Sequence, residues 1–230
     1  MSREELTKAI DKARRFQDRT DAGRLLAKKL SQYADRKDVI IMGMLRGGVP
    51  VAFEVAKSLR IPLDVFVVRK LGVPGHEELA MGAIASGGLR VLNREIIEAV
   101  GVSQAAVESV AVRELQELER QQRLYRGQTP LPELAGRTVI VVDDGLATGS
   151  TMRAAIVALR QGNPAGIIVA VPVAAADTAR RLAEEADGVV CLGTPPDFHA
   201  VSMWYEDFLQ TSDEEVRKLL EAGTTVSRPS

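Results

Sequence analysis

The chain contains a single cysteine, Cys191, among its 230 residues, so no internal disulfide can form. A chain without disulfides is typical of a reducing compartment, and we expect a cytoplasmic protein. Its longest apolar run, residues 165–176, is too short to cross a bilayer. The first residues mix acidic and basic side chains, unlike the start of a signal peptide. We therefore expect no membrane partner.

An excess of charge of one sign is also lacking, because 30 basic residues stand against 31 acidic ones and the net charge is −1. A protein that binds nucleic acid without sequence specificity normally carries a clear excess of Lys and Arg, so we expect no nucleic-acid partner. Hydrophobic residues make up 46% of the chain, which excludes intrinsic disorder. A chain of this length is expected to form one domain over residues 1–230.

Continuous apolar runs alternate with helical patterns along most of the chain. Such runs are typical of strands that are buried on both faces of a parallel sheet. The helical patterns between them supply the crossover connections that parallel strands need. The sequence thus predicts a three-layer α/β fold with a mainly parallel sheet flanked by helices. The predicted strands cover residues 39–42, 63–68, 138–142, 167–171 and 189–192.

The pattern changes between the second and the third of these strands. Residues 71–79 combine two glycines and a proline with charged side chains, and we predict a mobile loop there. Two short strands over residues 81–86 and 89–92, joined by a pair of glycines, predict a hairpin. Asn93 is predicted to cap a brief helix, and Ser103 a longer one that reaches about residue 125.

The segment after the third core strand is the strongest candidate for a binding site. Two acids, Asp143 and Asp144, end the apolar run, and glycine and hydroxyl residues then lead into a helix. Backbone amides in such a turn converge on one point and, together with the helix N-terminus, bind an anion. The pattern therefore predicts a phosphate site. The segment consists of Gly145, Leu146, Ala147, Thr148, Gly149, Ser150 and Thr151.

The two carboxylates cannot face that phosphate without repulsion, so we expect them to face hydroxyl groups or a cation nearby. Ribose and Mg²⁺ supply both, which predicts a ribose 5-phosphate as the ligand. A Walker A loop is excluded because no lysine follows the second glycine, and a dinucleotide fingerprint is excluded because its glycine pattern is missing. Too little chain follows the acids for a phospho-receiver domain. A capped strand-to-helix turn without a ligand stays open as the alternative.

Residues 143–151, with their leading strand, resemble the phosphoribosyl pyrophosphate (PRPP) signature of the type I phosphoribosyltransferases. The resemblance extends over residues 38–192 as an order of elements, and it implies the fold of that family. Measured against the minimal family core, residues 93–127 form a helical insertion. The family's small hood would be built from residues 1–20 and 193–212.

The resemblance implies a role for each part of the site. Asp143 and Asp144 would bind the ribose 2′- and 3′-hydroxyls, directly or through Mg²⁺, and would contact that metal through ribose or water. Residues 145–151 would hold the 5-phosphate. A loop after the first strand would receive the pyrophosphate with its amides and a neighbouring basic side chain. In this chain that loop consists of Leu45, Arg46, Gly47 and Gly48.

Catalytic side chains are expected in the mobile loop that follows the second strand of the family. The resemblance places its start at Arg69 and Lys70, and includes His76, Glu77 and Glu78. His76 is a candidate for proton transfer because of the ordinary pKa of histidine. From the residues alone three alternatives stay open: a simple strand-to-helix turn at residues 46–48, a surface position for His76, and a solvated strand end for Arg69 and Lys70.

The acceptor is indicated only in outline. Members of the family that act on 6-oxopurines carry an acid immediately before the Thr-Gly pair, whereas this chain has Ala147, which argues against hypoxanthine or guanine. The hood would contain Phe198, Trp204 and Tyr205, in a chain with only 4% aromatic residues, and planar bases stack on such rings. Residues 16–19 form the second hood stretch. Rings that simply cover the edge of the sheet remain the alternative.

The sequence thus predicts a transferase that uses PRPP and Mg²⁺ to place phosphoribose on a nitrogenous base or a related acceptor, with release of pyrophosphate. The competing hypothesis is a regulatory protein of the same fold that senses PRPP without turnover. A helix-turn-helix or a strongly basic face would favour it, and the sequence has neither. A third hypothesis, hydrolysis of a related sugar phosphate, needs a well-placed general base. The insertion over residues 93–127 is a candidate for contacts between subunits, and a second copy of the chain, forming a homodimer, is among the expected partners.

Overall fold

The computed structural model describes residues 15–226, and its centre is a parallel sheet. The strands are β1 (Val39–Met44), β2 (Leu63–Phe66), β3 (Val68–Val73), β4 (His76–Ala85), β5 (Leu89–Leu92), β6 (Thr138–Val142), β7 (Gly166–Val173) and β8 (Gly188–Gly193). Five of them form one sheet in the order β2-β1-β6-β7-β8, and every neighbouring pair is parallel. The predicted core strands are therefore confirmed, although the second ends at Phe66 rather than at residue 68.

Helices pack on both faces of this sheet and complete the predicted three-layer fold. Alternate residues of each strand point to opposite faces, so Ile41 and Ile140 belong to one core cluster, while Ile40 and Val139 belong to the other. The helices are α1 (Arg19–Lys29), α2 (Gly48–Leu59), α3 (Arg94–Val100), α4 (Gln104–Arg126), α5 (Ser150–Arg160), α6 (Ala176–Glu185) and α7 (Asp213–Val226). Residues of α1, α2 and α7 pack in the first cluster, and residues of α5 and α6 pack in the second.

Strands β3, β4 and β5 form a second, antiparallel sheet. The hairpin of β4 and β5 and the two helices α3 and α4 agree with the sequence-based expectation, and the side chains of Asn93 and Ser103 cap the helices. The prediction of a mobile loop at residues 71–79 is wrong. This segment forms the end of β3 and the start of β4, which pair as a hairpin with a tight turn at Pro74 and Gly75.

The cause of this error is that only one face of the hairpin is buried. Leu71, Val73 and Met81 point to that face and pack under α4, whereas the opposite face carries charged side chains. The pairing is also irregular next to Gly72, where the register shifts. An added Cβ at Gly72 would lie 2.7 Å from the carbonyl oxygen of Glu77. A glycine needed for close pairing of two strands therefore resembled a glycine that marks a loop.

Cys191 lies in β8, and its thiol is buried in the second core cluster. Burial raises the pKa of this thiol to about 12. The thiolate is the reactive form, so at about pH 8 only about one thiol in 10⁴ is reactive. We expect iodoacetamide to leave the folded protein unmodified and to alkylate Cys191 completely in guanidinium chloride, as mass spectrometry would show. Rapid alkylation of the folded protein would contradict the burial of β8.

The parallel order places the carboxyl ends of β1 and β6 side by side. Loops that follow adjacent parallel strands meet at this edge, where ligands of open α/β sheets bind. Two further segments contact each other near this edge, residues 16–18 and the 3₁₀ helix Val201–Trp204. The amide of Phe16 donates to the carbonyl of Trp204 at 2.8 Å, and the hydroxyl of the next residue, Tyr205, donates to the carbonyl of Asp144. None of the helices within residues 15–226 is long and apolar enough to span a membrane.

Candidate active site

Two loops from neighbouring strands contact each other at the carboxyl edge of the sheet. Asp143 and Asp144 follow β6 directly, and residues 45–47 connect β1 to α2. A Cβ added at Gly47 would lie 2.0 Å from Oδ2 of Asp144. At Gly48 it would lie 2.6 Å from the carbonyl oxygen of Val142. Only glycine permits this approach, so the predicted pyrophosphate loop lies against the predicted ribose acids.

The acid pair is held in a partly desolvated environment. Burial raises the pKa of Asp143 well above its ordinary value, and the neighbouring charge of Asp144 raises it further. Burial also raises the pKa of Asp144, although the Arg19 guanidinium acts in the opposite direction. One oxygen of Asp143 accepts a hydrogen bond from the amide of Asp144 at 2.9 Å. Two carboxylates in this state favour an arriving cation or hydroxyl donors.

Arg19 is the direct partner of Asp144, and sequence reasoning missed this contact. The Nε and Nη2 atoms of Arg19 both lie 2.8 Å from Oδ2 of Asp144. The two residues are separated by 125 positions, and no local pattern in the sequence connects them. The prediction placed Arg19 only in the hood, as part of residues 16–19.

The predicted phosphate segment is fixed on both sides. The amide of Leu146 donates to the carbonyl of Val173 at 2.9 Å, which ties the segment to the end of β7. The hydroxyl of Thr178 donates to the carbonyl of Ala147 at 2.6 Å, which ties it to α6. The hydroxyls of Thr148 and Ser150 lie 3.2 Å apart. These contacts hold a short polar turn at the start of α5.

At the start of α5 the amide of Ser150 donates a long hydrogen bond, 3.5 Å, to the hydroxyl of Thr148, and the N-cap residue itself provides no capping side chain. Gly149 precedes the helix with φ of 72°, a left-handed conformation that suits glycine, and it offers no side chain to cap the helix. The first amides of any α-helix have no acceptor within the helix. The exposed Thr148, Ser150 and Thr151 surround them with hydroxyls. The arrangement fits a phosphate monoester.

The acid pair offers two of the ligands that a Mg²⁺ ion needs. Within residues 15–226 no group of three or more Asp, Glu, His or Cys side chains is arranged to hold a metal. Asp143 and Asp144 nevertheless offer the carboxylate oxygens that Mg²⁺ prefers, and Mg²⁺ commonly takes one or two carboxylates together with substrate oxygens. The residues therefore fit a metal that is shared with a phosphorylated ligand, and these two carboxylates would hold it.

Arg46 and Arg69 line one polar cavity of about 410 Å³ beside the loop after β1. The peptide bond between Leu45 and Arg46 is cis. Arg69 forms an ion pair with Glu114 at 2.8 Å, and Arg46 forms one with Asp213 at 3.3 Å. The structure thus brings two of the predicted anion-binding residues together, although each has a carboxylate partner. Sequence reasoning missed the contributions of α4 and α7, which line this cavity with Glu117, Arg120, Gln121, Tyr125 and Asp213.

The other predicted catalytic side chains lie on the hairpin. Lys70 forms an ion pair with Glu78 at 3.5 Å and is not among the residues that line the Arg46 cavity. His76 and Glu77 are exposed at the start of β4. Oε1 of Glu77 accepts a hydrogen bond from the amide of Gly75 at 3.2 Å, which closes the turn. Neither residue is in contact with the acid pair in this structure.

The hood aromatics pack mainly on one another. The ring of Tyr205 is 5% exposed and lies between Phe16, at a centroid distance of 5.4 Å, and Phe208, at 4.9 Å. It has no open face on which a base could stack, which contradicts the contact predicted for Tyr205. Phe198 and Trp204 are partly buried against the same cluster. The first 14 residues of the predicted hood lie outside the described residues.

Tyr205 instead contacts the backbone of the acid pair. Its hydroxyl donates to the carbonyl of Asp144 at 2.6 Å. We expect Tyr205→Phe to lower the free energy of unfolding by about 1–2 kcal/mol, because a partly buried carbonyl loses its donor. Urea denaturation measures this change, and Tyr33→Phe is the control, since no hydrogen bond to the hydroxyl of Tyr33 is found within residues 15–226. Equal stability of the two variants would show that the Tyr205 hydroxyl contributes nothing.

Comparison with known proteins gives a consistent result. A family model described as "Phosphoribosyl transferase domain" matches residues 12–205. The Mycobacterium tuberculosis protein "Putative phosphoribosyl transferase Rv0571c" is 49% identical over 207 residues, which are 90% of this chain and 46% of that protein. This chain therefore spans about half the length of that relative.

Two further relatives differ in how much of the chain they match. The crystal structure of TT1426 from Thermus thermophilus superposes with a TM-score of 0.81 at 41% identity, and the match covers 90% of this chain and 97% of that chain. The "Bifunctional protein PyrR" of Deinococcus radiodurans is 38% identical over 106 residues, which are 43% of this chain and 57% of that protein.

Proposed function

The chain belongs to the phosphoribosyl transferase domain family, and on this premise we propose that it transfers phosphoribose from PRPP to a nitrogenous base with release of pyrophosphate. One observation carries the proposal. The acid pair after β6 lies between a turn suited to a phosphate and a glycine loop that approaches Oδ2 of Asp144 closely. PRPP has a diol between a phosphate and a pyrophosphate, which is the same order of groups.

The turn at residues 145–151 binds the 5-phosphate in this proposal. The hydroxyls of Thr148, Ser150 and Thr151 and the first amides of α5 are the donors, and Thr178 supports them through Ala147. Asp143 and Asp144 accept hydrogen bonds from the ribose hydroxyls and so orient the sugar. Residues 45–48 receive the pyrophosphate.

Displacement of pyrophosphate at the anomeric carbon develops positive charge on the ring, as in glycoside hydrolysis. When bound, Mg²⁺ would neutralise charge on the pyrophosphate. The protein contributes position and fixed charge: the carboxylates hold the ring at one end, and the phosphate turn holds it at the other. Arg46 and Arg69 lie on the pyrophosphate side, where exchange of their carboxylate partners for phosphate oxygens keeps each charge paired.

The acceptor in this proposal is a base other than a 6-oxopurine. Ala147 occupies the position at which family members that act on hypoxanthine and guanine carry an acid. Its methyl side chain has no group that could assist the base. The part of the hood left for an acceptor is the partly exposed edge formed by Phe198 and Trp204, since Tyr205 is buried.

The proposal is tested by measuring pyrophosphate release from PRPP and Mg²⁺ with a panel of nucleobases. Release that depends on one base supports the transferase. If no base causes release, calorimetry with PRPP on the same preparation shows whether the protein still binds PRPP. Tight PRPP binding without turnover on any base would instead indicate a PRPP sensor, and absence of PRPP binding would overturn the proposed site altogether.

A further inference from the structure

Arg19 connects the hood to the acid pair through three sets of contacts. Its Nε and Nη2 atoms contact Asp144, and its Nη1 atom donates to the carbonyl of Leu209 at 2.7 Å. The guanidinium carbon also lies 3.9 Å from the centre of the Phe208 ring, which allows a cation–π contact. Each of the three guanidinium nitrogens therefore has an acceptor, either the Asp144 carboxylate or the Leu209 carbonyl.

This ion pair is unlike the surface pairs of the molecule. The Arg19 and Asp144 side chains are only 12% and 14% exposed. In contrast, Arg24, which is also on α1 and pairs with Glu54 of α2, has a side chain that is 63% exposed. Exposed pairs contribute little to stability, but breaking a buried pair leaves a charge without compensation. The Arg19 contact is thus strong enough to fix the Asp144 side chain.

The geometry also determines which oxygen of Asp144 is used. Both donors from Arg19 reach Oδ2, and Gly47 closes the space on the same side, where an added Cβ would lie 2.0 Å from that oxygen. Oδ1 does not take part in the contact with Arg19. The carboxylate is therefore held by one oxygen between a guanidinium and a glycine backbone, and it can present the other oxygen to a ligand.

We infer that Arg19 is a positioning residue for sugar binding: it clamps Oδ2 of Asp144 so that Oδ1 accepts a ribose hydroxyl, and it thereby couples the hood to the ribose site. The inference rests on the proposed function, because it takes PRPP as the ligand of the acid pair. Lysine cannot fully replace this residue, since an ammonium group lacks the planar fork that contacts Asp144 and Leu209 together.

A double-mutant cycle on PRPP binding tests this role. Calorimetry with PRPP and Mg²⁺ is carried out on the wild type, Arg19→Gln, Arg19→Lys, Asp144→Asn, the double variant Arg19→Gln/Asp144→Asn, and the control Arg24→Gln. Melting temperatures measured without PRPP or Mg²⁺ establish that each variant is folded. The Arg19→Lys variant retains the charge and keeps the test usable if Arg19→Gln is unstable.

We expect Arg19→Gln to weaken PRPP binding roughly 10- to 100-fold, Arg19→Lys to weaken it less, and Arg24→Gln to change it less than about twofold. Because Arg19 acts through Asp144, the double variant should bind PRPP as Asp144→Asn alone does, within about threefold. Additive losses would overturn the inference in favour of a general structural role, and so would wild-type affinity in folded Arg19→Gln. A wild type that does not bind PRPP would overturn the proposed function and this inference with it.

Discussion

Asp143→Asn is expected to reduce pyrophosphate release roughly 100-fold while the melting temperature stays within about 3 °C of the wild type or rises above it. The loss of activity follows from the loss of charge-assisted hydrogen bonds to the ribose, each of about 1.5–3 kcal/mol, where 1.36 kcal/mol corresponds to a factor of ten. The unchanged stability follows from burial, since the folded protein disfavours the ionised form of Asp143 and an uncharged amide avoids that cost.

The pH dependence of this effect has a definite sign. Burial raises the pKa of Asp143 above its ordinary value of 3.8, so the folded protein retains a proton that the unfolded chain has already released. The wild type therefore loses stability as the pH rises above about 4 and through the folded-state pKa. Asp143→Asn lacks the part of this loss that Asp143 causes and keeps the part that Asp144 causes, since burial raises the pKa of Asp144 as well. Urea unfolding of both proteins across this range measures the difference.

Two comparisons make the Asp143 result specific. Asp177→Asn removes an exposed carboxylate at the start of α6 and should leave both activity and stability near the wild type. Asp144→Asn, in contrast, leaves the buried guanidinium of Arg19 without its partner, so it should lower the melting temperature as well as the activity. If Asp143→Asn unfolds the protein, Asp143 has a structural role and its assignment to the ribose is wrong.

Gly149→Ala is expected to lower the free energy of unfolding by about 2–4 kcal/mol and to weaken the affinity for PRPP at least tenfold. Gly149 has φ of 72°, which costs an alanine about 1 kcal/mol. The added Cβ would also lie 2.6 Å from Cγ2 of Thr178. Thr178 would have to move, and its hydrogen bond to Ala147 holds the phosphate turn.

Gly88→Ala is the matched control for this prediction. Gly88 has nearly the same φ, 74°, but no atom lies within 4 Å of an added Cβ. It should therefore show the conformational cost alone, about 1 kcal/mol, with unchanged PRPP affinity. Urea denaturation and calorimetry measure the two effects. Equal losses of stability in both variants would show that the contact with Thr178 does not matter.

The sequence predicted the core of the fold because that information is local. The run Val139 to Val142 is apolar without interruption and therefore indicates a strand that is buried on both faces. Asn93 and Ser103 cap helices through their own side chains, within three residues of the amides they contact. Burial of the hairpin at residues 71–79 could not be predicted in the same way, because it depends on α4 packing over Leu71 and Val73.

The same distinction applies to the candidate site. The succession of strand, acids, polar turn and helix in residues 138–151 is contiguous, so the amino-acid sequence by itself determined that a polar turn forms there after two acids. The partners of that turn come from distant positions, and only the tertiary structure decided that Arg19 meets Asp144, that Gly47 lies against the same carboxylate, and that Tyr205 is enclosed among the hood aromatics. The physical reason is that local hydrogen bonds and apolar periodicity act over a few residues, whereas these contacts arise only once the sheet and hood have packed.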